Sequence, residues 1–155
     1  MNVYRIAKAK NIYDLSGAGA RIAGGRWNFK GMPVIYTAES RALACVEYLV
    51  HVPASIIPKN LKIAAIEIPD DIAPKEISTS ELPKNWRSYN PPPAELAELG
   101  ASWAKKGKTL LLRVPSAVVE HEYNILINPL HPDIKHVVVK LIENFIYDDR
   151  LIKVV

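Results

Sequence analysis

Apolar and polar positions follow two rhythms along this chain. Short runs rich in β-branched and aromatic residues predict strands: "VYRIA" (3–7), "PVIYTA" (33–38), "LKIAAIEIP" (61–69), "TLLLRVP" (109–115), "YNILIN" (123–128), "KHVVVKLI" (135–142) and "NFIY" (144–147). A helical rhythm takes over in "SRALACVEYLVHV" (40–52). There Leu43, Val46, Leu49 and Val50 form one apolar stripe, Ser40 caps the start and Pro53 stops the end. "PAELAELGASWAKKG" (93–107) predicts a second helix, opened by proline and closed by Gly107. Strands outnumber helices, and hairpin-length connections dominate the C-terminal half. The pattern predicts one α+β domain, 1–155, with a mainly antiparallel sheet. Residues 69–93, rich in Pro, Ser and Asp, predict an ordered surface excursion inside that domain. No repeat or low-complexity segment interrupts it.

Composition narrows the class. The chain has 155 residues, 49% hydrophobic and 23% charged, which suits a globular domain with a real core. Cys45 is its one cysteine, so no intrachain disulfide forms, in keeping with a cytoplasmic location. The N-terminus lacks the apolar stretch of a signal peptide, and no apolar run approaches the length of a membrane span. The net charge of +4 comes from scattered lysines, densest in "WAKKGK" (103–108), which reads as a solvated helix end. It lacks the aromatic-interleaved basic stripe of a nucleic-acid binder, so direct nucleic-acid binding is not expected.

"GAGARIAGGRWN" (17–28) holds four glycines and invites comparison with a dinucleotide-binding loop. The spacing excludes the Rossmann fingerprint. Gly17 and Gly19 fit, but Ile22 stands where the third glycine belongs. "RWNFKGMP" then cannot open a helix across Gly31 and Pro33. If this loop meets phosphates, it does so with arginine and loop backbone.

Five residues stand out for chemistry. Glu47 lies at the edge of the apolar stripe of its helix, where a carboxylate is paired, shifted in pKa, or snorkels to water. Arg26, between Gly25 and Trp27, presents a fork that suits phosphate or carboxylate, or else pins its own loop in an ion pair. Arg21 has the same options with less aromatic support. Tyr36 either stacks on a planar ring or fills a half-buried strand position. Ser116 either offers a hydroxyl at a pocket rim or caps the turn after Pro115. It is not the nucleophile of a G-x-S-x-G elbow. The four histidines form no H-E-x-x-H or His/Cys cluster, so no metal is expected.

The order of these pieces is more telling than any one of them. "GGRWN" (24–28), "PVIYTAES" (33–40), "EYL" (47–49), "LLLRVPSAVV" (110–119) and "EYNILINPLHPD" (122–133) together resemble the RES-domain family. The match runs from about Gly17 through "DDRLIK", with little of it in 69–93. The resemblance implies a fold similar to ADP-ribosyltransferases of the diphtheria-toxin kind. It implies a toxin of a type II toxin–antitoxin pair that breaks the nicotinamide–ribose bond of NAD+, as glycohydrolase or phosphorylase, with NAD+ as substrate. The alternative it leaves open is transfer of ADP-ribose to a protein. It assigns Arg26, Tyr36, Glu47 and Ser116 as catalytic. Arg26, Tyr36, Asn28, Arg21 and Ser116 would contact NAD+. The implied partner is an antitoxin with a helix-turn-helix DNA-binding domain, with a homodimer within that complex also open. Two further readings compete. An RNA-directed toxin would use Arg26, His131 and the 105–108 lysines on phosphates. A non-catalytic binding partner would keep the fold without turnover.

Overall fold

The computed structural model describes residues 1–153; residues 154–155 of the expected 1–155 domain lie outside the described part. The elements follow as β1 (Asn2–Lys8), α1 (Ala18–Ala23), β2 (Ile35–Ala38), α2 (Arg41–His51), β3 (Leu61–Glu67), β4 (Lys75–Glu76), α3 (Ala94–Lys106), β5 (Leu111–Pro115), β6 (Tyr123–Ile127) and β7 (Val138–Asn144). The strands form one seven-stranded sheet in the order β4-β5-β6-β2-β1-β3-β7. Every pairing is antiparallel except the short β4–β5 contact. The α+β expectation therefore holds.

Both faces of the central strands are buried, which is why "LLL" and "ILI" read as continuous apolar runs. On one face Leu112, Val114 and Leu126 pack beneath Leu96 and Trp103 of α3. On the same side of the sheet, Ala38, Ile6 and Ile63 pack with Leu43 and Ala44 of α2. The opposite face buries Ile35, Leu111, Ile125 and Ile127 beneath Ile12 and Val137 from the flanking loops.

The two main helices end as the sequence indicates. The Leu43 backbone N–H donates to Ser40 Oγ at 3.0 Å, capping α2 just before its apolar stripe begins. Gly107 closes α3 in the left-handed region, its N–H donating to the Trp103 carbonyl at 3.1 Å. Ser78 and Glu81 form a capping box within the 69–93 excursion, which is ordered as expected.

The structure departs from the sequence reading at four points. The glycine-rich stretch contains a six-residue helix, α1, which the punctuating glycines concealed. The strand expected at 135–142 starts only at Val138, because Pro132–His136 form a 3-10 turn with the Asp133 N–H donating to His131 Nδ1 at 3.1 Å. β7 runs on to Asn144, so 144–147 is not a further strand. The C-terminal half is also not a chain of hairpins. β5 and β6 pair directly, but β6 and β7 are separated by β2, β1 and β3. No helix among the described residues is long and apolar enough to cross a membrane.

Candidate active site

Glu47 sits in the middle of α2, half-buried where the helix meets the sheet. Its Oε1 accepts two hydrogen bonds, one from Ser116 Oγ at 2.7 Å and one from Asn124 Nδ2 at 2.6 Å. Oε2 carries no hydrogen bond among the described residues. The carboxylate is thus held by two neutral donors rather than paired with a cation or snorkelling, and one oxygen is fixed while the other carries no hydrogen bond.

Ser116 caps the turn after Pro115, as one of its two readings held, and from there meets Glu47. It is buried at the end of β5, and its Oγ accepts the backbone N–H groups of Val118 (3.1 Å) and Val119 (3.0 Å) while donating to Glu47. Its own N–H donates to the Glu122 carbonyl at 2.8 Å, closing the loop into β6. Asn124 was not singled out from the sequence. The period-2 pattern of β6 puts its side chain on the same face as Leu126, the face α2 covers, and a polar residue in an otherwise apolar "YNILI" was the available signal.

The glycine-rich loop delivers Arg26 by a tight turn. Gly25 and Asn28 bridge across it, leaving Arg26 and Trp27 at the tip. Tyr36 from β2 locks the turn: its hydroxyl accepts the Trp27 N–H at 3.0 Å and donates to Asn28 Oδ1 at 2.7 Å. Gly25 is required beneath that hydroxyl, since a Cβ there would lie 2.7 Å from it. Burial pushes the Tyr36 phenol well above the ordinary tyrosine value. Asn28 is itself buried, and its Nδ2 donates to the carbonyls of Ala20 (2.8 Å), Phe29 (3.1 Å) and Met32 (3.0 Å). Its amide is committed to the loop.

Arg26 is half-buried, and its Nη1 donates to the carbonyls of Trp86 (2.7 Å) and Ser88 (2.9 Å). Burial lowers the guanidinium pKa from its usual value, and the nearby negative charge of Glu47 opposes that shift. The group remains a cation. The 86–88 strap is tied on its far side by Arg87, which donates from Nε to the Ala117 carbonyl (3.2 Å) and from Nη1 to Glu120 Oε1 (2.8 Å). The strap therefore joins the arginine side of the site to the serine turn. Arg21 is exposed on α1, and its backbone carbonyl accepts the Gly31 N–H at 2.7 Å. No hydrogen bond among the described residues links its side chain to the Glu47 cluster. The fold thus brings Glu47, Ser116 and Asn124 into one hydrogen-bonded group, with Arg26 electrostatically beside it. Tyr36 and Asn28 support the turn that holds Arg26.

This is a mostly antiparallel α+β domain with a tethered glutamate facing an arginine-tipped loop. A family model described as "RES domain" matches residues 2–148. The "Prs ADP-ribosylating toxin" of Sphingobium sp. (strain YBL2) is 43% identical over 155 residues, covering 97% of this chain and 96% of that protein. A "Toxin Res" from Photorhabdus laumondii is 34% identical over 157 residues, covering 99% and 98%. Among solved structures, a chain of the M. tuberculosis MbcT–MbcA toxin–antitoxin complex superposes with a TM-score of 0.75 at 21% identity, covering 93% of this chain and 83% of that one. The fold is thus shared with that chain of the toxin–antitoxin complex. The chain belongs to the RES-domain family.

Proposed function

We propose that the protein is the toxin of a toxin–antitoxin pair and that it cleaves the nicotinamide–ribose bond of NAD+. The observation that carries this reading is the half-tethered carboxylate. Ser116 and Asn124 hold Glu47 Oε1, and Oε2 remains available beside the positive charge of Arg26. In the reaction the C1′–N bond breaks and its electron pair leaves with nicotinamide. The departing ring carries a positive charge beforehand and needs no proton to leave. The ribose becomes an oxocarbenium-like cation, as in glycoside cleavage. A fixed carboxylate stabilises that developing charge without reorganising. Oε2 also orients the acceptor oxygen, whose proton is released as the new C1′–O bond forms.

In this reading Arg26 grips the diphosphate, with Arg21 near the mouth as a second cation. Tyr36 offers its ring to nicotinamide while its hydroxyl keeps the arginine loop in shape. Ser116 acts on NAD+ through the rotamer of Glu47, and Asn28 acts through the loop. The location that fits is the cytoplasm, where NAD+ is available, and the partner is a helix-turn-helix antitoxin.

The acceptor has two candidates. Water or phosphate gives a glycohydrolase or phosphorylase. A protein side chain gives an ADP-ribosyltransferase, and the name of the 43% identical relative favours that second reading. The test is to incubate purified protein with NAD+, with and without phosphate, beside Glu47→Ala. Wild type is expected to consume NAD+ catalytically. Glu47→Ala loses about a hundredfold or more, the usual loss for one transition-state electrostatic contact. Free ADP-ribose or its phosphorylated form identifies the acceptor. If NAD+ persists, labelled NAD+ is supplied with cell extract, and an absence of label on any protein overturns the proposal.

A further inference from the structure

The face of the sheet opposite Glu47 carries a charged cluster that the proposed reaction does not use. Arg113 of β5 lies at its centre. Its Nε donates to Glu39 Oε1 and its Nη2 to Glu39 Oε2 at 3.4 Å, a two-pronged contact. The same guanidinium stacks over the Tyr123 ring, 3.5 Å from the centroid. Its Nη1 lies 3.5 Å from Glu76 Oε1 of β4. Arg113 and Glu39 are only 24% and 32% exposed, so this is not a freely solvated surface pair.

The position of each partner gives the cluster its meaning. Glu39 directly precedes Ser40, the cap of α2, which carries Glu47. Arg113 lies three residues before Ser116 on β5. Tyr123 directly precedes Asn124 on β6, and successive strand side chains leave opposite faces. The Glu39 N–H also donates to the Tyr123 carbonyl at 3.3 Å, continuing the β2–β6 register. One guanidinium therefore clamps, from behind, the three segments that bring Glu47, Ser116 and Asn124 together.

We propose that Arg113, acting through Glu39 and Tyr123, is a positioning residue for Glu47. It sets the spacing between the start of α2, the end of β5 and Asn124, and so holds both donors on Glu47 Oε1. Planar two-pronged contact and stacking need guanidinium geometry, which a lysine ammonium does not supply.

The inference rests on the proposed NAD+ reaction for its kinetic consequence, but the geometry has a readout of its own. The Asn124 side-chain amide, identified in NMR spectra by its loss in Asn124→Ala, reports the bond to Glu47 directly. Arg113→Gln and Glu39→Gln are compared with wild type, along with Arg113→Lys and the double Gln variant. In each single Gln variant the Asn124 resonance is expected to move toward that of a solvent-exposed amide. NAD+ turnover is expected to fall about tenfold in kcat with KM nearly unchanged, since a displaced catalytic group costs rate rather than affinity. Arg113→Lys resembles Arg113→Gln, and the double variant is no worse than either single one, because both remove the same clamp. Should Arg113→Gln fail to fold, Glu39→Gln carries the test alone. An unmoved Asn124 resonance overturns the proposal, and so does a moved resonance with kcat intact. If wild type consumes no NAD+ and labels no protein, the proposed reaction fails, while the resonance still decides whether Arg113 positions the cluster.

Discussion

Tyr36 shows how one hydroxyl shapes a loop it does not belong to. Replacing it with phenylalanine leaves the Trp27 N–H and Asn28 Oδ1 without their partner in a confined turn. Tyr36→Phe is expected to cost about 2 kcal/mol, the range for orphaned buried polar groups, measured by urea denaturation. The cost also depends on pH in a definite direction. Burial raises the folded phenol above its ordinary value of 10.0, so folding favours the neutral form. The wild-type advantage over Tyr36→Phe is whole below pH 10 and shrinks as the pH rises beyond it. A difference that is flat through pH 11, or that grows there, contradicts this account. Asn124 and Ser116 teach a related lesson about what single residues reveal. The serine was visible in the sequence through its place after "RVP". The asparagine was not, because alternation assigns a face but does not say which polar atom on that face meets a carboxylate from a distant helix.

α3 approaches the arginine loop so closely that one of its residues must be glycine. A Cβ on Gly100 would lie 1.8 Å from the Trp27 carbonyl oxygen. In an isolated helix Gly→Ala stabilises by about 1 kcal/mol. Here the backbone of a neighbouring turn blocks the methyl group, and overpacking of this kind costs about 3 kcal/mol. Gly100→Ala is therefore expected to lower stability by a net of about 2 kcal/mol, read as a fall in Tm. A rise in Tm shows that the loop yields easily. Both main helices were readable from caps, stripes and stop residues, because those signals are local. α1 was hidden because its flanking glycines are as much at home in loops as at helix ends. The span of β7 was misjudged for a different reason. It is an edge strand with mostly exposed residues, so no buried face imposes a clear alternation to mark where it begins.

Taken whole, the fold leaves Glu47 Oε2 without a hydrogen bond among the described residues and in the field of Arg26, and on the proposed reading a partner that silences the protein has a simple way to do so. If Arg26 binds the diphosphate as proposed, a carboxylate from the antitoxin placed on Arg26 competes with it. Arg26→Ala is then expected to weaken the complex about tenfold or more in Kd, measured by calorimetry, in line with loss of a partly buried charge pair. Unchanged affinity means that the antitoxin acts elsewhere. The order of the strands was the part of the architecture least visible beforehand. Local patterns name strands but not neighbours, and here β1 pairs with both β2 and β3 while the C-terminal β6 joins the free side of β2.

That late arrival of β6 bears on the protein's birth. Glu47 is made early, but its two tethers, Ser116 and Asn124, follow 69 and 77 residues later. At synthesis rates of about 5–20 residues per second, the carboxylate waits about 4–15 s for the second of them. A chain abandoned by the ribosome before β6 therefore carries the glutamate and the arginine loop but not the Asn124 tether. On the proposed reading, incomplete copies lack the tethered carboxylate that the reaction needs, and a cell that makes the protein meets that chemistry only in finished copies.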